Sequence, residues 1–312
     1  MKKIKVGIVG FGLSGSEFHA PSLKDLPEFE ITWVMSSQTE KVKKVLHQVK
    51  ITQNYEDILN DPEVDLVIIT SPNEYHYKQS CAALEKNKHV VLEKPFVPTV
   101  SEGEKLRKLA IKKKRILSVY HNRRYDGDFQ TVKNILSSGV LGEIYFYESH
   151  FDRFRPNVNK QNWREDEKAV AGGILFDLGP HLIDQAITLF GEPKKILYDV
   201  AIQRNEAKQP DYFHLVLKYA RVRCVLHASC VAYKTGPRFL IHGDKGSFKI
   251  EDFQSTYGEL YLDGVEAKKI PLGETSYAQF YRDLYQAIVH EKKNPVTAEE
   301  ALMSLKIILE SC

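Results

Sequence analysis

Lys94 stands between an apolar run, His89-Val90-Val91-Leu92, and Pro95. The proline disfavours the α region for the residue before it, so the backbone sets the lysine's direction. An ammonium held at a strand end can hydrogen-bond a substrate oxygen and offset the charge of a developing alkoxide. The ordinary alternative is an ion pair with Glu93. A second place is Gly172-Gly173-Ile174-Leu175-Phe176-Asp177-Leu178-Gly179-Pro180-His181. Asp177 and His181 are spaced i, i+4, which puts both on one side of a helix. Histidine is a natural acceptor of a hydroxyl proton near neutral pH, and Asp177 could orient it or bind a substrate hydroxyl. Alternatively Asp177 caps the helix, with Pro180 in the first turn where proline is best tolerated, and His181 is a satisfied buried histidine. Two further clusters suit a polar ligand: Tyr120-His121-Asn122-Arg123-Arg124-Tyr125-Asp126, and Trp163-Arg164 with Phe151, Arg153 and Arg155 upstream. Arginines beside aromatics can bind sugar hydroxyls and ring faces, and they are equally common in packing between domains.

These residues need a scaffold, and the N-terminus announces one. Ile4, Val6, Ile8 and Val9 read as a short buried strand, Gly10-Phe11-Gly12-Leu13-Ser14-Gly15 fits G-x-G-x-x-G, and Ser16 to Ala20 opens a helix. In that setting Gly10 permits a tight turn, Gly12 a close backbone approach to a pyrophosphate, and Gly15 the packing of helix on strand. Strand-like runs at 30–35, 65–70, 89–92 and 116–120 alternate with helical stretches, which predicts a doubly wound parallel sheet over residues 1–121. Ligands of such sheets lie beyond the carboxyl ends of the strands. That rule gathers Gly10–Gly15, Ser36-Ser37, Ser71-Pro72-Asn73, Glu93-Lys94-Pro95 and His121–Arg124 around one crevice. The second strand ends in Ser36 and Ser37, with Lys41 and Lys43 behind, where a site for NAD usually carries a carboxylate. Two hydroxyls and an ammonium suit a 2′-phosphate, so NADP(H) is favoured and NAD(H) remains possible; the alternative is that the serines only start a helix.

Residues 122–312 read differently. Helices are expected near 128–138, 178–190, 277–290 and 297–309, and strands at 142–151, 196–204, 212–219, 224–231, 239–242, 247–250 and 259–262. Consecutive strands without intervening helices predict an open, mainly antiparallel sheet, hence an α/β chain of two domains. The 312 residues, 43% apolar and 27% charged, suit that size and a soluble protein. A net charge of +3 gives no nucleic-acid footprint, and Lys112–Arg115 reads as the solvated end of a helix. Cys81, Cys224, Cys230 and Cys312 form no C-x-x-C pair, so no metal site is expected and thiols in the cytoplasm are the simplest account. No membrane span or export signal is expected, since the N-terminal apolar run breaks at Gly7 and Gly10.

In order along the chain, Gly10–Gly15, Ser71-Pro72-Asn73 with His76, Glu93-Lys94-Pro95, His121–Arg124 and Asp177-x-x-x-His181 resemble the glucose–fructose oxidoreductase / inositol dehydrogenase / MocA (Gfo/Idh/MocA) family. The likeness covers essentially the whole chain. His121–Tyr125, Phe151–Pro156 and Asp211–His214 particularly resemble its NADP-dependent scyllo-inositol dehydrogenases. The resemblance implies hydride transfer between a sugar or cyclitol carbon and a nicotinamide. Lys94, His181 and Asp177 would be catalytic. Cofactor contacts would fall at Gly10, Phe11, Gly12, Leu13, Ser14, Gly15, Ser36, Ser37, Lys41, Ser71, Pro72, Asn73, His76, Glu93, Lys94 and Asn122, and substrate contacts at Tyr120, Arg123, Arg153, Trp163 and Arg164. It also implies a homodimer or homotetramer through the second sheet. Alternatives are a non-catalytic NADP(H)-binding sensor and a reductase of an unrelated carbonyl, of dihydrodiol or biliverdin type. The passage from Phe248-Lys249-Ile250 to Tyr257–Leu262 is shorter than in inositol-type members.

Overall fold

The computed structural model describes residues 2–159, 165–168 and 171–311. The chain divides into two compact units, Met1–Asn122 with Ser276–Leu302, and Arg123–Thr275 with Met303–Cys312. The first boundary falls beside the expected division after residue 121. The segment after Thr275 differs from expectation, because it returns to the first unit. The reason is its apolar face: Phe280, Tyr281, Leu284 and Tyr285 are all buried, and Tyr281 and Tyr285 meet Phe29 edge-on at 5.7 and 6.0 Å.

In the first unit β1 (Ile4–Val9), β2 (Phe29–Met35), β3 (Lys50–Thr52), β4 (Leu66–Ile69), β5 (His89–Leu92) and β6 (Leu117–Val119) form a six-stranded sheet ordered β3-β2-β1-β4-β5-β6. Every neighbouring pair is parallel. All four residues of β4 are fully buried, as are Val90, Val91 and Leu92. That continuous apolar run is what burial on both faces demands. Connections run through a π-helical turn (Gly15–His19) into α1 (Ala20–Lys24), then α2 (Thr39–Val45), α3 (Tyr55–Asn60), α4 (Asn73–Glu85) and α5 (Val100–Lys113). Thr99 caps α5 by accepting from the Glu102 N–H at 3.2 Å. The basic run closes α5, with Lys112 and Lys113 in its last turn and Lys114 left-handed at φ 51°, as charge complementarity to the helix dipole requires.

The second unit contains α6 (Gly127–Ser137), β7 (Ile144–His150), α7 (Gly173–Phe190), β8 (Lys195–Ala201), β9 (Tyr212–Lys218), β10 (Arg223–Ser229), β11 (Phe239–Gly243), β12 (Gly246–Ile250), β13 (Tyr257–Leu262) and β14 (Val265–Pro271). These strands form an eight-stranded sheet ordered β14-β13-β12-β11-β7-β10-β9-β8. Only β7 with β10 is parallel among its neighbouring pairs. Burial alternates along β9 and β10. Phe213, Leu215, Leu217, Leu226 and Ala228 join Leu175, Leu178, Leu182, Ile183 and Ala186 of α7 in one core. The chain then continues through α8 (Tyr277–His290) and α9 (Ala298–Glu310). Among the described residues no helix is long and apolar enough to cross a membrane.

On the other face of this sheet His150 donates to Asp152 at 2.9 Å and Glu148 at 2.8 Å. His227, opposite it on β10, lies 3.5 Å from Asp152 and 3.4 Å from His214 of β9. Donor atoms of His150, Asp152 and His227 fall within 4.8 Å of one another. Both Asp152 oxygens also accept backbone N–H groups, from Ser229 and Gly236, so a proton on His150 already completes the cluster. Burial alone would lower the His150 pKa, but its bonds to Asp152 and Glu148 outweigh that and raise it to about 9. A histidine raised in the folded state stabilises fully below the unfolded pKa of about 6.5, and that stabilisation is lost as pH rises through the folded value. Denaturant titrations from pH 6 to pH 10 are therefore expected to show stability falling by on the order of 3 kcal/mol, mainly between about pH 6.5 and 9, and His150→Gln should flatten the fall. Equal slopes for the two proteins would contradict this assignment.

Candidate active site

The glycine loop is built by crowding at the end of β1. Gly10 N–H donates to Met35 O at 2.9 Å, and on the other flank Thr70 N–H donates to Val9 O at 2.8 Å. Gly10 has φ +93°, and a Cβ there would sit 2.9 Å from Thr70 Oγ1; a Cβ on Gly15 would sit 2.8 Å from Gly10 O. A side chain at either position therefore forces the loop backbone to shift. Gly12 faces the opposite condition, with open space where its Cβ would be, and Leu13 beside it is 71% exposed. Phe11 is buried in the core. This is a backbone cradle open on one side, which fits a dinucleotide's pyrophosphate.

Ser36 N–H donates to Thr52 O at 2.9 Å, and Ser36 Oγ accepts from Gln38 N–H at 3.0 Å. The cap position of α2 is Gln38, so Ser36 shapes a turn rather than capping the helix. Ser37 is exposed. Lys41 Nζ reaches back to 3.4 Å from Gly12 O, which sets an ammonium over the cradle.

The loops after β4 and β5 are clamped to each other. His76 on α4 is fully buried. Its Nε2 lies 3.0 Å from Ser71 O, and its Nδ1 lies 3.0 Å from Pro95 O and 3.2 Å from Phe96 O. Burial holds its pKa down despite these carbonyls. Expected among cofactor residues, His76 is here a tie between two loops. Pro72 precedes α4 and Asn73 is its buried first residue. Glu93 uses one oxygen for Ser14 Oγ and for His19 Nε2, the latter at 3.0 Å, and the other for the Lys94 N–H at 3.0 Å. Burial alone would raise its pKa, but His19, Ser14 and the Lys94 charge pull it down to about 2. Lys94 follows β5 as expected, with a cis peptide bond to Pro95. Tyr120, expected on the substrate side, is 1% exposed. It packs against His19 at 4.1 Å and Phe280 at 4.9 Å, so the structure gives its ring to the core of the first unit. Asn122 is also buried.

In the second unit α7 starts at Gly173, with Gly172 in the cap position. Asp177 is therefore inside the helix and does not cap it, and Pro180 is interior rather than in the first turn. Lacking an N–H, Pro180 leaves the Phe176 carbonyl without its helical donor. Asp177 and His181 lie one turn apart on one face, His181 buried at 7% exposure. Arg153 Nη1 reaches Asp177 at 3.5 Å, and its guanidinium lies 5.1 Å from the Phe151 ring. Arg123 lies over the same ring at 4.7 Å and pairs with Asp126 at 2.8 Å. Phe253 meets Phe151 at 4.5 Å, a neighbour that sequence pattern gave no sign of. The helix is fixed from behind. Arg124 holds Asp184 through two bonds of 2.7 and 2.6 Å. The buried Arg238 reaches Gln185 at 3.1 Å, Ser149 at 2.9 Å and Asp128 at 2.8 Å. Trp163 and Arg164 lie outside the described residues.

Residues 4–121 match the oxidoreductase family with an NAD-binding Rossmann fold, and residues 129–249 match the GFO/IDH/MocA C-terminal domain. The chain belongs to the Gfo/Idh/MocA oxidoreductase family. It is 41% identical over 330 residues to the scyllo-inositol 2-dehydrogenase (NADP+) IolW of Bacillus subtilis, covering 98% of this chain and 92% of that one. It is 38% identical to the oxidoreductase YdgJ of Escherichia coli, an uncharacterized protein, over 98% of this chain and 94% of the relative. A solved oxidoreductase from Bacillus cereus superposes with TM-score 0.89 at 29% identity, covering 99% and 95% of the two chains. As a family member the protein is an NAD(P)-dependent oxidoreductase with a Rossmann domain.

The crowding at Gly15 leads to a direct expectation. Gly15→Ala should leave the protein folded and weaken dinucleotide binding by on the order of 10-fold or more, read by quenching of protein fluorescence. Wild-type affinity in that variant would show that the cradle is not the binding loop.

Proposed function

We propose that the protein is an NADP(H)-dependent oxidoreductase that interconverts a secondary hydroxyl and a ketone on a cyclitol or sugar. The observation that carries the reading is the Asp177–His181 pair on one face of α7, in a chain similar along its length to an NADP-dependent scyllo-inositol dehydrogenase. When bound, the nicotinamide supplies the hydride acceptor or donor at C4. His181 takes the hydroxyl proton, Lys94 steadies the substrate oxygen, and Asp177 binds a neighbouring hydroxyl with Arg153 beside it. Arg123 belongs to the same polar lining.

The choice of NADP(H) is supported by Ser36 and Ser37 after β2 and by Lys41 in the first turn of α2. Hydroxyls and an ammonium stand where a carboxylate would repel a 2′-phosphate. Self-association through the second sheet, as a homodimer or homotetramer, and a cytoplasmic setting belong to the same proposal. They are supported by half-exposed apolar residues such as Leu197 on that sheet and by Cys81, Cys224 and Cys230 standing as thiols.

The test is nucleotide reduction with inositol isomers and aldoses. NADP+ should be reduced in preference to NAD+, and Ser36→Asp should shift that preference toward NAD+ by about 10-fold or more. His181→Asn should lower kcat by about 10²–10⁴-fold with NADPH affinity unchanged. A clear NAD+ preference in the wild type would remove the cofactor assignment, and wild-type turnover in Lys94→Ala would remove the mechanism.

A further inference from the structure

Behind the glycine loop the first unit buries a chain of polar side chains that the proposed chemistry does not use. His19 closes the π-helical turn after the loop and is fully buried. Its Nε2 is 3.0 Å from Glu93 Oε1, on a side chain only 12% exposed. Glu93 accepts only, so that nitrogen donates. On the other side Nδ1 faces the hydroxyl of Tyr281, a buried residue of α8 lying 262 positions away in sequence. Neither His19 nor Tyr281 belongs to the residues that motif or spacing brought forward.

The ring of His19 has little freedom. Tyr120 lies against it at 4.1 Å, Tyr120 is held edge-on by Phe280 at 4.9 Å and 89°, and Tyr281 abuts Phe29 of β2 at 5.7 Å. An imidazole, a phenol and a carboxylate buried together are tolerated only when their hydrogen bonds are met, and then they rigidify what they touch. What they touch is specific. The Glu93 oxygen that meets His19 also accepts from Ser14 in the glycine loop, and its other oxygen accepts the Lys94 N–H. One carboxylate thereby joins the cofactor loop to the backbone of the proposed catalytic lysine. The same carboxylate is linked through one imidazole to Tyr281 of α8.

We propose that His19 and Tyr281 are positioning residues, which through Glu93 lock Ser14 of the glycine loop and the backbone of Lys94 into one arrangement. The inference rests on the reading of Lys94 and the glycine loop given above. The segment after Thr275, which packs on the first unit through its apolar face, also supplies the far anchor of the chain from α8. Simple packing would require only the rings. The proposal requires the Tyr281 oxygen and a donor at the His19 Nε2 position.

The experiment compares wild type with His19→Leu, His19→Gln and Tyr281→Phe by amide hydrogen exchange without ligand, then by NADPH titration. Glutamine can place an amide N–H near the position of Nε2, whereas leucine leaves Glu93 without that donor. His19→Leu should speed exchange at Ser14, Gly15 and Lys94 by about 10-fold, leaving α5 and the second unit unchanged, and His19→Gln should restore most of the protection. Tyr281→Phe removes one oxygen and should give the same local pattern at a few-fold size, which keeps the proposal testable where the leucine variant does not fold. NADPH affinity should fall by about 10-fold in His19→Leu and by less than about threefold in His19→Gln. Exchange in Tyr281→Phe and in the His19 variants that matches wild type, or that rises uniformly across the unit, overturns the proposal. Wild-type protein that binds no NADPH defeats the cofactor reading instead, and the exchange measurements then decide the positioning chain alone.

Discussion

The crowding around the carboxyl end of β1 governs the first unit. This strand is hydrogen-bonded to β2 on one side and β4 on the other, and those contacts continue to Gly10. Because the two neighbours leave in opposite directions along the sheet, the strand order reverses here. The backbone must turn away at once, between Met35 and Thr70, through a position with no space for a Cβ. The loops after β1, β2, β4 and β5 leave the same edge of a parallel sheet. His76 and Glu93 then fasten those after β1, β4 and β5 to one another with buried hydrogen bonds.

The second unit solves a different problem. Its open sheet buries one face under α7, and an apolar interface of that kind fixes little about how a helix is rotated. Direction comes from charge. Arg124 with Asp184, and Arg238 with Gln185, Ser149 and Asp128, put guanidinium groups in places where an unpaired donor would cost several kcal/mol. A helix rotated by one residue would break these bonds, so the rotation that presents Asp177 and His181 is specified. Pro180 within the same helix removes one backbone bond two turns after its start and is tolerated because packing holds the helix on both sides.

Most strands of both sheets could be read from the amino acids alone, because a doubly covered strand must be apolar throughout and a half-covered one must alternate. The exceptions have reasons. β3 is a three-residue edge strand. In β14 six of seven residues are exposed, and its Glu266, Lys268 and Lys269 show no apolar period. The start of α7 was hidden by Gly172, Gly173 and Pro180, which locally argue against a helix, so Asp177 looked like a cap. Tyr120 looked like a ligand residue because it opens the polar cluster Tyr120–Asp126, but an aromatic ring there can turn inward, and it does.

What the sequence determined by itself is chemical and local. The glycine spacing, the serines after β2, the lysine before proline and the i, i+4 acid–histidine pair follow from covalent structure and backbone geometry, and they suffice to mark the family. Tertiary structure decided which polar residues are spent on the fold. His76, Glu93, Arg124 and Arg238 look in sequence like any other polar residues. The partners brought to them in the folded chain make them ties. The same holds for His19 and Tyr281, since hydrogen-bond satisfaction in a buried space depends on what arrives there and leaves no periodic mark along the chain.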